Sequence, residues 1–210
     1  MMRSVMSFLT EEEIIRIHEA SLHVLEKTGV KIGSEKVCKL LIRHGAKASG
    51  NIVKLPRPLV EEALKMVQKE VLLAARDPSC DLTIPTTGFP FNTTSGYSPF
   101  VVDMDTGVTR NSMGRDLKDF ALLCDYLDTA AFFWPIVLPT DEHPLLEDLC
   151  ALDISLRNIR KHIQCDCSSE VTARWQIRLA SVVAGGGNNL KKRPLFSAVA
   201  SPISPLFFEK

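Results

Sequence analysis

The side chains able to do chemistry fall into a few short segments. Cys165-Asp166-Cys167 is the one close thiol pair, with His162 just before it. Zinc pairs normally enclose roughly two to four residues and need a second ligand pair. This chain offers neither, so its residues predict no metal and two thiols on one face of a strand. Pro139-Thr140-Asp141-Glu142-His143 follows a buried apolar run. Asp141 there could act as a general base or as the electrostatic partner of a cationic substrate. Equally, it could cap a helix beginning at Pro144. Asn92, Ser95, Gly96 and Tyr97 lie in a polar segment, where an amide, a hydroxyl and open backbone stand beside an aromatic ring. Such a ring can attract a quaternary ammonium by cation–π interaction; the plain alternative is a packed surface loop. Ser204-Pro205 ends a third such segment, Ser201 to Leu206, with no visible helix for Ser204 to cap.

The histidines carry weaker signals. His18 and His23 fall on opposite sides of the first helical pattern, and His44 sits at a helix C-terminus, where the dipole suits it. His143 alone stands at a predicted strand end. No Ser–His–Asp arrangement, paired-carboxylate motif or H-E-x-x-H sequence is present, so no residue is assigned as catalytic.

These segments need a scaffold, and the apolar pattern supplies one. Thr10 to Glu13 reads as a capping box, and Ile14, Ile17, Leu22 and Leu25 continue as a helix stopped by Gly29. Helices over about 34–44 and from Pro56 to Val67 follow, with no strands expected between them. Residues 1–70 thus read as an N-terminal helical collar. Residues 71–113 look extended. Asp105-Thr106-Gly107 turns a hairpin over 100–110, and a long loop covers 86–97. From 114 to 210, helices alternate with buried runs. Helices are expected over 114–127, 144–159 and, capped by Ser168, 168–184. The runs start at 131, 163 and 195, each 32 residues apart. A (β/α)8 barrel of about 250 residues allots about 31 to each unit. The expected fold class is α/β: a partial TIM (β/α)8 barrel behind a helical collar. The competing doubly wound sheet normally announces itself by a glycine-rich phosphate turn after its first strand, and none follows a strand here.

Composition limits the function classes. Twenty-five basic and 25 acidic residues give zero formal net charge, which argues against a broad nucleic-acid surface. No apolar run approaches the roughly 18 residues needed to cross a bilayer. The first residues hold no long apolar h-region, and six cysteines without a secretion signal fit reduced thiols, so the expected location is cytoplasmic.

The stretch Leu9-Thr10-Glu11-Glu12-Glu13-Ile14-Ile15-Arg16-Ile17-His18-Glu19-Ala20-Ser21, continued by Leu25-Glu26-Lys27-Thr28-Gly29-Val30, resembles the start of the trimethylamine methyltransferase family. Leu55-Pro56 with Leu59-Val60, Arg76-Asp77-Pro78, and Ser95-Gly96 ahead of Phe100-Val101-Val102-Asp103 and Thr106-Gly107 resemble it too. So do Asp116-Leu117, Asp119-Phe120 and Ser204-Pro205-Leu206. The resemblance implies a TIM barrel that moves a methyl group from a methylated amine to the Co(I) of a corrinoid (cobalamin) carried by a partner protein. The implied substrates are trimethylamine, in members that carry pyrrolysine, or quaternary amines such as glycine betaine. Members are roughly twice this long, and a barrel alone needs about 250 residues. The resemblance therefore covers an N-terminal part, with the missing C-terminal half of the barrel as an expected partner and little activity expected from this chain alone. The rival expectations are a non-catalytic truncated or split-subunit protein that binds a partner or a small amine, and a zinc-dependent enzyme using Cys165 and Cys167.

Overall fold

The computed structural model describes residues 8–86, 91–199 and 203–208. Thr87 to Pro90 of the long loop, and Ser201 and Pro202, lie outside them. The chain divides into two compact units, one running to Gln68 and joined by the segment after residue 200, the other spanning Lys69–Ala200.

The first unit opens on α1 (Glu11–Lys27). Its capping box forms as read: Thr10 Oγ1 accepts from the Glu13 amide at 3.3 Å, and Glu13 Oε2 accepts from the Thr10 amide at 2.8 Å. Three glutamates in the first turn suit the positive end of the dipole. Strands were not expected here, but β1 (Val30–Ile32), β2 (Lys47–Ser49) and β3 (Ile52–Lys54) alternate with α2 (Glu35–Arg43) and α3 (Arg57–Met66). The collar is therefore mixed. The alternation in Val30-Lys31-Ile32 buries both apolar ends and exposes the lysine between them, a period-two signal too short to stand out beside three helical patterns. β1 pairs antiparallel with β3 and parallel with Phe207–Phe208, and β2 pairs with β3. Gly29 makes the join possible: it has φ +81°, and a Cβ there would sit 2.7 Å from the Val53 carbonyl oxygen. Val30, Ile32, Ala46 and Val53 form the small core.

The second unit begins with two antiparallel hairpins, β4 (Val71–Leu73) with β5 (Leu82–Ile84), and β6 (Phe100–Val102) with β7 (Thr109–Asn111). Asp103 fixes the second turn by accepting from the Thr106 amide and hydroxyl at 3.0 and 2.9 Å. The expected hairpin over 100–110 is present. There follow α4 (Gly114–Tyr126), α5 (Glu147–Asn158), β8 (Ile163–Cys165), α6 (Glu170–Val183), α7 (Gly187–Lys192) and β9 (Phe196–Ala198).

A parallel ladder runs through this unit. Thr93 bridges Phe132, Ser98 bridges Val137, Phe133 bridges Ile163, and β8 pairs with β9, all in parallel. The order is 92–98, 131–138, β8, β9. Part of the expected loop is thus an extended segment of the ladder. Few of its residues are apolar, so the sequence signal of a buried strand is missing. Gly96 permits the approach, since a Cβ there would sit 2.0 Å from the Pro135 carbonyl oxygen. The fold is mixed α/β, and among the described residues no sheet closes into a barrel.

One face of the ladder meets the helices. Phe133, Val137, Ile163 and Cys165 pack with Leu117, Ala121 and Cys124 of α4 and with Ala151, Leu152 and Leu156 of α5. Fully burying each large apolar side chain contributes about 1.5–3 kcal/mol. Among the described residues no helix is long and apolar enough to cross a membrane.

Candidate functional site

Successive strand residues point to opposite faces of a sheet. With 133, 137, 163 and 165 turned to the helices, Phe132, Trp134 and Leu138 alternate to the other face, as do Gln164 and Asp166, while Ile136 between them also packs against the helix-facing core. The bridge Phe133–Ile163 sets Trp134 beside Gln164, and Ile136 beside Asp166. The bridge Ser98–Val137 sets Tyr97 beside Ile136. Tyr97 and Asp166 therefore flank one residue at the C-terminal end of the ladder.

Their contact is direct. The Tyr97 hydroxyl oxygen accepts from the Asp166 amide at 3.1 Å. Burial raises the Tyr97 phenol above its ordinary range, and nearby Cys165, Asp166 and Asp148 add to the shift. Tyr97 thus stays a neutral hydroxyl with its own proton still to donate. The Asp166 carboxylate accepts no hydrogen bond among the described residues, and burial, then Asp148, raise its pKa.

Two further residues hold it in place. Asp148, in the first turn of α5, accepts from the Ser168 amide at 3.0 Å through Oδ2. Gln176 of α6 is fully buried and donates through Nε2 to the Asp166 carbonyl at 2.9 Å and to the Asp148 carbonyl at 3.4 Å. The loop after β8 is thereby tied to both flanking helices.

The other expected site residues behave differently. Asp141 caps a helix, but that helix is α4: its Oδ1 accepts from the Gly114 amide at 2.7 Å. The helix expected from Pro144 starts at Glu147. Asn92 contributes its carbonyl, which accepts from the Ala131 amide at 2.8 Å. Ser95 is exposed, and Gly96 provides the close approach to Pro135. Ser204 is exposed and belongs to the first unit. Ser169, rather than Ser168, caps α6 through the Thr172 amide at 3.1 Å.

The thiols divide by environment. Cys165 lies in the helix-facing core, donates to the Ser197 carbonyl at 3.7 Å, and is pushed up to about 12 by burial and neighbouring negative charge. A thiol so held is a poor source of thiolate. Among the described residues no three His, Cys, Asp or Glu side chains gather as a metal site.

In sequence Asp166 reads only as the residue between two thiols. The alternation Ile163, Cys165 against Gln164, Asp166 was the usable signal, since it sets the polar pair apart from the core.

Comparison with known proteins adds the identity of the scaffold. Residues 2–210 match the family described as trimethylamine methyltransferase (MTTB). The chain is 31% identical over 201 residues to trimethylamine methyltransferase MttB of Desulfitobacterium hafniense (strain DSM 10664 / DCB-2), covering 94% of this chain and 40% of that protein. It is 26% identical to the glycine betaine methyltransferase of Desulfitobacterium hafniense (strain Y51), covering 97% and 42%. It is 25% identical to trimethylamine methyltransferase MttB of Methanosarcina barkeri, covering 96% and 42%. The chain thus spans about two-fifths of the length of these relatives. It belongs to the trimethylamine methyltransferase family.

Proposed function

We propose that this chain is the N-terminal part of a corrinoid-dependent amine methyltransferase. On this reading the ladder 92–98, 131–138, β8, β9 is one part of a (β/α)8 barrel. The observation that carries the reading is the Asp166 carboxylate, which accepts no hydrogen bond among the described residues, beside Tyr97 at the C-terminal ends of parallel strands, where barrel enzymes place their chemistry. The substrate class is a methylated amine: trimethylamine, or a quaternary amine such as glycine betaine.

Asp166 supplies the charge that holds the ammonium, and the Tyr97 ring supplies an apolar, polarisable wall. The positive charge on nitrogen disappears as its methyl group leaves. A carboxylate beside it therefore stabilises the bound substrate more than the transition state, and Asp166 acts chiefly in binding and positioning. Phe132, Trp134 and Leu138 line the same face and strip water from the substrate. The open C-terminal edge suits a corrinoid presented by a partner protein. No residue here is assigned as its ligand. The corrinoid, when present, supplies the nucleophile that accepts the methyl group.

The remaining strands lie outside these 210 residues, and the chain alone has little or no turnover. The setting is cytoplasmic, with its thiols reduced. The test is methyl transfer from trimethylamine and glycine betaine to a cob(I)alamin protein. The expected result is transfer once the chain is fused to the C-terminal part of the 31%-identical relative, and none from the chain alone. Turnover by the chain alone overturns the partial-barrel reading. No transfer by a well-folded fusion overturns the enzymatic one and favours a non-catalytic binding protein.

A further inference from the structure

On the face away from the helices the side chains stand in levels, because paired strands set every second residue side by side. At the lowest level the Phe132 ring meets the His162 ring edge-on, with centroids 6.5 Å apart. His162 Nε2 is 3.0 Å from Ser197 Oγ, so these two polar groups are spent on each other. At the top level Tyr97 meets Asp166.

The level between them holds polar groups that nothing uses. Gln164 stands there, paired in register with Ser197 on one side and set beside Trp134 on the other. Its half-buried side chain makes no hydrogen bond among the described residues. Trp134 Nε1 is buried and has no acceptor among them either. A buried N–H without an acceptor is costly, and in a native protein it calls for an explanation. An indole N–H can only donate, and a Gln amide carries two more donor hydrogens. Gln164 offers the open donor and Trp134 the buried one. One level below the Asp166 carboxylate, the face thus offers hydrogen-bond donors to an oxygen anion.

We propose that this pairing selects a zwitterion: a quaternary ammonium carrying a carboxylate on a short carbon link, its nitrogen at Asp166 and its carboxylate at Gln164 and Trp134. The two levels lie two residues apart on one strand, about 6.6 Å, which suits such a molecule lying along the strand direction. That orientation turns an N-methyl group toward the C-terminal ends of the strands. The inference rests on the Asp166 reading and narrows it. Trimethylamine has nothing for the lower level and leaves both donors unpaired, and a site built to hydrogen-bond a ligand discriminates strongly against an analogue without the matching group.

NMR of the isotopically labelled 210-residue chain tests it with three probes. Glycine betaine has both charges, tetramethylammonium the cation alone, and tert-butylacetate the carboxylate alone. Glycine betaine is expected to shift the Trp134 indole N–H and the Gln164 side-chain amide saturably, and to bind about tenfold or more tightly than either other probe. Trp134→Phe assigns the indole signal against that of Trp175. Gln164→Leu should bring glycine betaine to within about twofold of tetramethylammonium. The wild-type indole signal gives a reading of its own should a variant fail to fold. An indole signal that ignores glycine betaine, or a glycine betaine affinity no better than that of tetramethylammonium, overturns the proposal. In that event, shifts at Tyr97 and Asp166 with tetramethylammonium leave the Asp166 reading standing. No shift with any probe overturns both.

Discussion

The Tyr97 hydroxyl accepts a hydrogen bond from the Asp166 amide at 3.1 Å, across the intervening strand that carries Ile136. The two residues stand 69 positions apart in sequence. One hydrogen bond thus ties the first and third segments of the ladder at their C-terminal ends. It also sets the aromatic ring beside a half-buried carboxylate that accepts no hydrogen bond among the described residues.

Tyr97→Phe keeps the ring and removes that acceptor. In a fusion that completes the barrel, the account expects KM for the methylated amine to rise a few-fold with kcat nearly unchanged. Tyr97→Ala removes the wall as well and should lower kcat/KM about tenfold or more, the equivalent of about 1.4 kcal/mol. Steady-state kinetics of both variants decide this, and unchanged constants for Tyr97→Ala take the residue out of the site.

Asp141 is a cap. Asp141→Ala leaves the Gly114 amide at the start of α4 without its partner and should cost about 1 kcal/mol, or about 2–4 °C in Tm. Ligand binding should be untouched. Thermal unfolding and binding measured on the same variant separate the two roles.

Lys161 is 8% exposed, and its Nζ donates to the carbonyls of Cys124, Leu127 and Ala130 at 2.7–2.8 Å. It closes the C-terminal end of α4. Lys161→Met keeps the stem but strands three carbonyls, with an expected loss of about 3 kcal/mol in urea unfolding. A loss under 1 kcal/mol, on the order of an exposed substitution, would contradict this account.

His162 makes stability pH-dependent. It is 1% exposed, with Nδ1 2.9 Å from the Ala74 carbonyl and Nε2 3.0 Å from Ser197 Oγ. Burial lowers its pKa below the ordinary value of 6.5, only partly offset by the Ala74 carbonyl. The unfolded chain takes up the proton first as pH falls. Stability is therefore full above about pH 6.5 and declines below it, by up to about 1.4 kcal/mol per pH unit, until the folded form also protonates. Urea unfolding between pH 7.5 and 5 reads the slope, and His162→Gln should flatten it.

Much of this scaffold was legible because apolar periodicity is strong where helices cover a sheet. The buried runs from 131 and 163, the hairpin over 100–110 and the Thr10 capping box all stand where their residues put them. What stayed hidden shares a cause. Segment 92–98 reads as loop because its place depends on hydrogen bonds to 131–138, Thr94 Oγ1 to the Trp134 carbonyl among them, and not on apolar side chains. Asp141 chose α4 over the nearer helix because tertiary proximity, not sequence distance, decides a cap. Asp166 gained its meaning only when the ladder set it beside Tyr97.

The most direct test is a titration of the isotopically labelled 210-residue chain with trimethylammonium and with glycine betaine, followed by amide NMR shifts. The account predicts saturable shifts at Tyr97 and Asp166 that vanish in Asp166→Asn and persist in Asp141→Asn. Because Asp166 is raised by burial, its charge costs stability above its folded pKa and costs nothing below the ordinary carboxylate value. Asp166→Asn should therefore unfold at a higher temperature at pH 7 even as it loses the ligand. Shifts that survive Asp166→Asn, or that disappear only in Asp141→Asn, would contradict the placement of the ammonium at Asp166.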